Sequence, residues 1–456
     1  MNKILMDDTI VGLSTAVSRS AVSIIRLSGN DSINIVNSVF KEKDLNKVKS
    51  HTIHYGHIYN KETSEIIDEV LVSVFKAPKT YTKEDVVEIN CHGGSFVTKL
   101  ILDQMVLLGA RIAEAGEFTK RAFLNGRIDL TKAEAVMDVI DADSKSSLKM
   151  ANQGLSGKSK EKIETLRQKL LDIIMKIYVN IDYPEYDDVK ELTHNEIKPI
   201  ILDVLNETNK LLNDSQVAKR IKDGINTTII GKPNVGKSSL LNALLKENKA
   251  IVTAIPGTTR DVIEAKLNLG MFVLNLIDTA GIRSTEDLVE KIGVERSKEK
   301  LDEADLVLMI FDGSQKLSDE DISLMKLVEN KKHIYIINKR DLKQNIEIDK
   351  IDDPILISTL DTSSIDILEN KIKEVIFNNE IEMDKNIYIS NARQIERLKE
   401  AKTSLENAIK DIDLNQYVDL IQVSINSAWE SLSEILGEVK DTEIIDALFK
   451  NFCLGK

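Results

Sequence analysis

Two hydrophobic periods divide the chain. Val22–Leu27 (VSIIRL), Val70–Phe75 and Val86–Cys91 are short runs rich in β-branched residues, and they predict strands. A Ser-Gly-Asn turn after the first leads to a helix from about Asp31. After Gly93-Gly94 the period changes to that of a helix in SFVTKLILDQMVLLG. Helical spacing then dominates Leu130–Asp143, where Thr131 and Glu134 give an S/T-x-x-E start, and it continues as long amphipathic helices over Leu148–Val179 and Leu192–Leu212. Their Lys/Glu positions read as solvated faces and their apolar stripes as core. The acidic break Asp182–Asp188 (DYPEYDD) reads as a solvated loop rather than a metal site. Strand patterns return from Thr227 to Ile230, and helical spacing resumes over Ser390–Asp411 and Leu414–Leu436.

The predicted architecture is therefore multidomain. An α+β domain covers residues 1–125. A helical domain begins in residues 126–220 and ends in 381–456. An α/β P-loop domain, residues 221–380, is inserted between its two parts.

The chemistry concentrates in that inserted segment. Gly231–Ser238 (GKPNVGKS) fits G-x-x-x-x-G-K-[ST], with a strand before it and the helical SLLNALL after it. Backbone N–H groups and a helix N-terminus can wrap a di- or triphosphate there. Lys237 reaches β and γ phosphates, and the Ser238 hydroxyl suits Mg²⁺. Four further stretches follow in order. Gly257–Asp261 (GTTRD) precedes a strand pattern that Gly270 turns back into MFVLNLID, so one strand is expected to be antiparallel, as in Ras-like folds. Asp278–Gly281 (DTAG) ends that second strand and suits water-bridged Mg²⁺ and the γ-phosphate. Asn338–Asp341 (NKRD) ends IYIIN. The Asp341 carboxylate can accept hydrogen bonds from N1 and the 2-amino group of guanine, which adenine cannot offer. Ser358-Thr359 closes the pocket. Five motifs in this order predict a GTP-binding enzyme. Ile282 follows DTAG where Ras-type proteins carry a water-orienting Gln, so Glu286, Asp287 and Glu290 become candidates for that task. Asn234 is open to two readings, a turn residue or a ligand for a monovalent cation.

Composition narrows the setting. Hydrophobic residues make up 42%, aromatics only 4% and charged residues 30%, so the cores must be built from Leu, Ile and Val. A net charge of −13 argues against a protein that is one large nucleic-acid-binding surface but leaves room for a local basic patch. No apolar run approaches the ~20 residues of a membrane span, and the N-terminus has acidic residues where a signal peptide is apolar. The two cysteines, Cys91 and Cys453, form no disulfide framework. A cytoplasmic protein is expected. Cys91-His92 reads as structural, and Glu88 as an outward-facing strand residue. The FCLGK tail with Cys453 is either a frayed end or a docking segment.

The whole chain resembles the MnmE (TrmE) family of tRNA-modification GTPases. The carrying stretches are DTIVGLSTA, VSIIRLSG, YTKEDVVEINCHGG, GEFTKRAFLNGRIDLTKAEAV, the five GTPase motifs and FCLGK. One stretch and two single positions depart from the family pattern. Ala16–Ser20 replaces a glycine- and proline-rich stretch, Lys83 stands for the glycine of YTGED, and Ala115 for the proline of PGEF. The resemblance implies a homodimer whose first domain binds a formyl-tetrahydrofolate. It also implies an FAD-containing partner, MnmG (GidA), forming a heterotetramer or larger complex. Together they would add an aminomethyl or carboxymethylaminomethyl group to C5 of the wobble uridine of certain tRNAs. By motif, the folate site would use Arg26, Glu88, Arg127 and Lys456. GTP would be held by Asn234, Val235, Gly236, Lys237, Ser238 and Ser239, by Thr253, Ala254, Ile255, Pro256, Gly257, Thr258 and Thr259, by Asp278, Thr279, Ala280 and Gly281, and by Asn338, Lys339, Asp341, Ser358 and Thr359. K⁺ would lie on Asn234, Thr253, Ile255 and Thr258, and Mg²⁺ on Ser238 and Thr259. Catalysis would use Lys237, Asn234 and Glu290, with Glu290 positioning water. Cys453 matches the family's terminal cysteine. Two rival readings share parts of this pattern. A ribosome-assembly GTPase has the same GKPNVGKSSL and GTTRD, but would carry a basic, aromatic RNA-binding module that the sequence lacks. A non-catalytic GTP-binding scaffold would not need intact Lys237, Ser238 and Asp278.

Overall fold

The computed structural model describes residues 8–182, 194–244, 250–251, 263–277, 301, 303–361, 363–377, 387–438, 449–450, 452 and 455. The chain packs as two units, one of Met1–Met137 with Ser433–Lys456 and one of Asp138–Leu432.

The first unit is built on a sheet of six strands: β1 (Ile10–Leu13), β2 (Val22–Ser28), β3 (Thr52–Tyr59), β4 (Ile66–Phe75), β5 (Val86–His92) and β6 (Arg111–Ile112). Their order is β3-β4-β5-β2-β1-β6. All neighbours are antiparallel except β1 and β6. Inward residues such as Ile25, Leu27, Val72, Val74, Val87 and Ile89 form one core with α1 (Ser32–Asn37) and α2 (Ser95–Leu107). Gly94 stands at the start of α2, where the double glycine predicted a helix start. The buried thiol of Cys91 belongs to this core and donates to the Ser23 carbonyl. Burial pushes it above the usual thiol range, so it is structural, as the sequence suggested. Helices α3 (Glu117–Leu124) and α4 (Leu130–Ile140) follow. Leu130 and Ala133 of α4 form a smaller core with Phe449 and Phe452 of the chain's C-terminal segment.

Two helix starts differ from the sequence pattern. Asp129, not Thr131, caps α4. Its carboxylate accepts from the Lys132 N–H at 3.0 Å and from the Thr131 hydroxyl at 2.5 Å. The predicted continuous helix from Leu148 to Val179 is two helices, α5 (Lys145–Ser156) and α6 (Lys158–Asp182). Gly157 separates them at φ 89, a left-handed backbone that glycine adopts without strain. Ser144 starts α5 with a reciprocal capping box to Ser147.

In the second unit, α7 (His194–Asp223) runs into β7 (Ile225–Ile230), and α8 (Lys237–Leu244) follows. Then come β8 (Ala250–Ile251), β9 (Ile263–Asn268), β10 (Val273–Ile277), β11 (Leu306–Asp312), α9 (Asp319–Val328), β12 (His333–Asn338), β13 (Ile355–Leu356), α10 (Ser363–Phe377), α11 (Ala392–Asp413) and α12 (Val418–Leu436). The seven strands lie in the order β13-β12-β11-β7-β10-β9-β8. β13, β12, β11, β7 and β10 are parallel, and the hairpin at Gly270 makes β9 antiparallel, as its sequence predicted. Every residue of β11 is buried. Leu306, Leu308 and Ile310 enter one core, and Val307, Met309 and Phe311 the other. That split marks a parallel sheet covered on both faces. The flanking helices join this unit at several points. Lys198 of α7 pairs with Asp413 of α11, Lys222 of α7 with Asp138 at 2.6 Å, and Lys266 of β9 with Asp143 at 2.8 Å.

Among the described residues no helix is long and apolar enough to cross a membrane.

Candidate functional sites

The phosphate-loop sequence connects β7 to α8, whose first residue is Lys237 rather than the predicted Ser239. Two glycines are required by space. At Gly231 (φ 148) an added Cβ would stand 2.4 Å from the Ile310 carbonyl oxygen, and at Gly236 (φ 104) 2.1 Å from Asn338 Nδ2. The loop is thus pressed onto the ends of β11 and β12. Asn234 sits in a turn at φ 62 with its side chain exposed, a placement compatible with both readings of it. Lys237 Nζ donates to the carbonyls of Gly231 at 2.6 Å and Lys232 at 2.8 Å. Burial pushes its pKa below the ordinary lysine value, with Glu320 opposing the shift. Ser238 and Ser239 are exposed in the first turn of α8.

The NKRD and Ser358-Thr359 stretches lie at the same end of the sheet as the loop. Asn338 Nδ2 donates to the Val235 carbonyl at 2.9 Å, tying the end of β12 to the loop, while Asn338 Oδ1 is buried with no partner among the described residues. Ser358 Oγ donates to Asp341 Oδ1 at 2.7 Å. Lys339, at φ 64, reaches Asp312 at 2.6 Å. Burial alone would raise the Asp312 carboxyl, but Lys339 and Ser314 hold it below the usual range. Thr359 follows Ser358 and is half-buried. Sequence reading missed Asp312. Its signal was the register, since Asp312 ends β11 directly opposite Asn338. Thr253–Thr259, Asp278–Gly281, Ile282 and Glu290 lie outside the described residues.

The first unit holds a separate cavity of about 630 Å³, lined by Arg26, Lys79, Tyr81, Lys83, Glu88 and Arg127 among others. The β2–β5 register sets Arg26 directly across from Glu88, and Arg26 Nε donates to Glu88 Oε1 at 2.8 Å. Glu88 faces away from the core formed by Val87, Ile89 and Cys91, as its strand pattern suggested, but it is half-buried there on the cavity wall, where a cross-strand arginine satisfies it. Arg26 Nη1 also donates to the Gly455 carbonyl at 3.3 Å. Arg127 lies over the Tyr81 ring, 5.1 Å from its centroid, and donates to the Tyr81 carbonyl at 3.1 Å. Lys83, at φ 61, occupies a left-handed backbone that glycine would take freely, and its ammonium caps the carbonyls of Asn125 and Gly126. The lining carries four cations, Arg26, Lys79, Lys83 and Arg127, against one carboxylate, Glu88. Its chemistry suits an anionic ligand with an aromatic part. Cys453 and Lys456 lie outside the described residues. No group of three or more His, Cys, Asp or Glu residues among the described ones could hold a metal ion; His92 instead binds Asp68 at 2.7 Å.

Comparison with known proteins supplies the family. The model of the MnmE helical domain matches residues 130–453, and that of the GTP-binding protein TrmE N-terminus matches residues 9–127. The tRNA modification GTPase MnmE of Streptococcus thermophilus is 51% identical over 451 residues, 98% of both chains. That of Streptococcus pyogenes serotype M1 is 50% identical over 452 residues, 98% of both chains. That of Oceanobacillus iheyensis is 46% identical over 455 residues, 98% of this chain and 99% of the relative. With both family models and near-complete relatives in agreement, the chain belongs to the MnmE family of tRNA modification GTPases and is a GTP hydrolase acting in tRNA modification.

Proposed function

We propose that this GTPase is a cytoplasmic homodimer. It hydrolyses GTP with K⁺ and Mg²⁺ when two GTPase domains meet, and it works with the FAD-containing MnmG on the wobble uridine of certain tRNAs. The observation that carries the nucleotide part is the glycine-spaced loop between β7 and α8, held by Asn338 beside the Asp341–Ser358 pair. Lys237 would meet the β and γ phosphates, and Asp341 the guanine edge. Lys339, Ser358 and Thr359 would complete the base pocket, and Asp278–Gly281 the phosphate side. Mg²⁺ would be held by Ser238 and Thr259, and K⁺ by Asn234 with Thr253, Ile255 and Thr258. The accessible Asn234 amide and the exposed Ser238 hydroxyl fit those roles. The ions supply positive charge beside the phosphates, where other GTPases use an arginine. Glu290 would orient the attacking water in place of the glutamine that Ile282 replaces.

The cationic cavity is the proposed site for a formyl-tetrahydrofolate, with Arg26, Glu88, Arg127 and the terminal Lys456 as its groups. Bound there, the folate supplies a one-carbon unit. Arg127 and its neighbouring lysines suit the ligand's carboxylates, and Tyr81 offers an aromatic surface. The helical domain is read as built from both flanks of the chain, with the GTPase domain inserted.

GTP turnover in KCl against NaCl tests the cation assignment, and equal rates would remove it. Wobble nucleosides in tRNA from a strain lacking this chain test the pathway, and an unchanged profile would defeat it. Replacing Glu290 by Ala is expected to slow hydrolysis while sparing GTP binding.

A further inference from the structure

Lys232 is the second residue of the phosphate loop, a position the G-x-x-x-x-G-K-S pattern leaves free. Its side chain does not point into solvent. The Nζ lies 2.7 Å from Asp321 Oδ2 and donates to Ser318 Oγ at 2.9 Å. Asp321 is nearly inaccessible, its side chain 4% exposed, and that of Lys232 is only 17% exposed. Ser318 and Asp321 already form a complete capping box for α9, with the Ser318 N–H and hydroxyl both donating to Asp321 Oδ2, at 2.9 and 2.8 Å. The helix cap does not need the lysine. A third donor arrives from the loop and lands on the same oxygen.

The other end of Lys232 explains why this matters. Its own carbonyl, with that of Gly231, seats the Lys237 ammonium. The loop is pinned on one side by the approach of Gly231 to the Ile310 carbonyl and on the other by Asn338 at Val235. The segment that carries the two carbonyls starts at the first pin, and among the described residues the Lys232–Asp321 pair tethers it a residue further on. The pair also commits the Lys232 charge to a carboxylate, leaving Lys237 as the loop cation that addresses phosphate.

We propose that the Lys232–Asp321 pair is a positioning joint: it fixes the two carbonyls that seat Lys237 and so sets where that ammonium meets the transferring phosphate. The proposal rests on the reading of Lys237 as the phosphate-binding lysine. A displacement of about 1 Å at a reacting group can cost about a hundredfold in rate, so a loosened seat is expected to reduce kcat more than it raises KM.

The test is steady-state GTP turnover by the full chain, with fluorescent GDP binding in parallel. Lys232→Met is expected to lower kcat about tenfold or more with KM changed less than about threefold. Lys232→Arg keeps the pair and should restore most of the rate. Ser318→Ala removes one of the lysine's two contacts together with the hydroxyl's share of the α9 cap, and is expected to fall between them; it decides the matter if Lys232→Met does not fold. Unchanged kcat in Lys232→Met, or in Ser318→Ala where that arm decides, overturns the joint. So does a Lys232→Arg enzyme as slow as Lys232→Met. If Asp321→Asn tightens GTP binding, Lys232 is a phosphate ligand waiting to be released, which also overturns it. Lys237→Ala is the separate control: full turnover there would sink the phosphate-lysine reading itself, whatever the other variants do.

Discussion

The hydroxyl of Ser358 donates to the carboxylate of Asp341 at 2.7 Å, joining the loop just after β13 to the last residue of the NKRD stretch. Asp341 is exposed, so this bond is what orients a carboxylate that would otherwise rotate in solvent. The same hydroxyl accepts from the Leu360 N–H at 3.3 Å, and the Ser358 N–H is held by Ser364 Oγ at 3.0 Å. The serine is therefore fixed before it fixes the aspartate. In the proposed guanine pocket, Asp341→Asn removes an acceptor for two guanine donors. At about 1.5–3 kcal/mol for each hydrogen bond to a charged group, GTP affinity should drop on the order of a hundredfold or more. Xanthosine triphosphate, whose C2 carbonyl suits the new amide, should bind better than GTP. Ser358→Ala should cost GTP about tenfold or less, the ~1 kcal/mol of one orienting bond. Competition between the two nucleotides measures both effects, and an Asp341→Asn enzyme that keeps wild-type GTP affinity refutes the assignment.

Much of the nucleotide domain was legible because its chemistry constrains local sequence. Gly231 and Gly236 stand where a Cβ would strike backbone or Asn338, and the turn at Gly270 marks the antiparallel strand. What was not legible depends on register or on distance along the chain. Glu88 alternates like any strand residue, and only the pairing of β2 with β5 reveals Arg26 opposite it. The fully buried β11 carries no periodic signal because both its faces are covered. Lys232 meets Ser318 across 86 residues, and nothing in either segment names the other. The split at Gly157 was misread because apolar residues keep helical spacing through it, while the backbone reverses into a left-handed conformation.

Lys83 offers a test of strain. At φ 61 a side chain costs about 1–2 kcal/mol relative to glycine. Its ammonium recovers part of this at the Asn125 and Gly126 carbonyls, at 2.9 and 3.0 Å. Lys83→Ala loses those contacts and keeps the strain, whereas Lys83→Gly loses them and relieves it. The glycine variant should be more stable than the alanine variant by about 1 kcal/mol in denaturant unfolding. Equal stabilities would show that the backbone is not strained there.

His92 and Asp68 give a pH prediction. The Asp68 carboxylate, hydrogen-bonded at 2.7 Å, raises the imidazole above its ordinary value of 6.5. The folded protein therefore holds this proton more tightly than the unfolded chain. The contribution is fully present below the unfolded-state value and is lost as pH rises through the higher folded one. Asp68→Asn should return the His92 titration toward 6.5, read by NMR, and remove that part of the pH dependence. A His92 titration unmoved by the substitution would show that the carboxylate is not its cause.

The most severe loss is expected at Arg121. Its side chain is 3% exposed, and it meets Asp8 at 2.6 Å, Glu117 at 3.2 Å and Glu84 at 3.3 Å. Arg111 shares two of these partners, reaching Asp8 at 2.6 Å and Glu117 at 2.5 Å. Burial alone would raise the Glu117 carboxyl, but the arginines and the Glu114 N–H hold it below the usual range. Removing Arg121 leaves carboxylates facing one another with half their countercharge. Breaking a buried network of this kind costs about 3–5 kcal/mol, a large share of the stability of an ordinary domain. Arg121→Met keeps the volume and should show that loss at neutral pH. At lower pH, where the orphaned carboxylates can take up protons, the gap to wild type should narrow. Wild type itself should lose stability as pH falls through the depressed Glu117 value, because its folded state is the one that favours the ionised form. Unfolding curves of both proteins at neutral and acidic pH give the measurement. A gap that stays constant with pH would mean that packing around Arg121, rather than its charge, accounts for the loss.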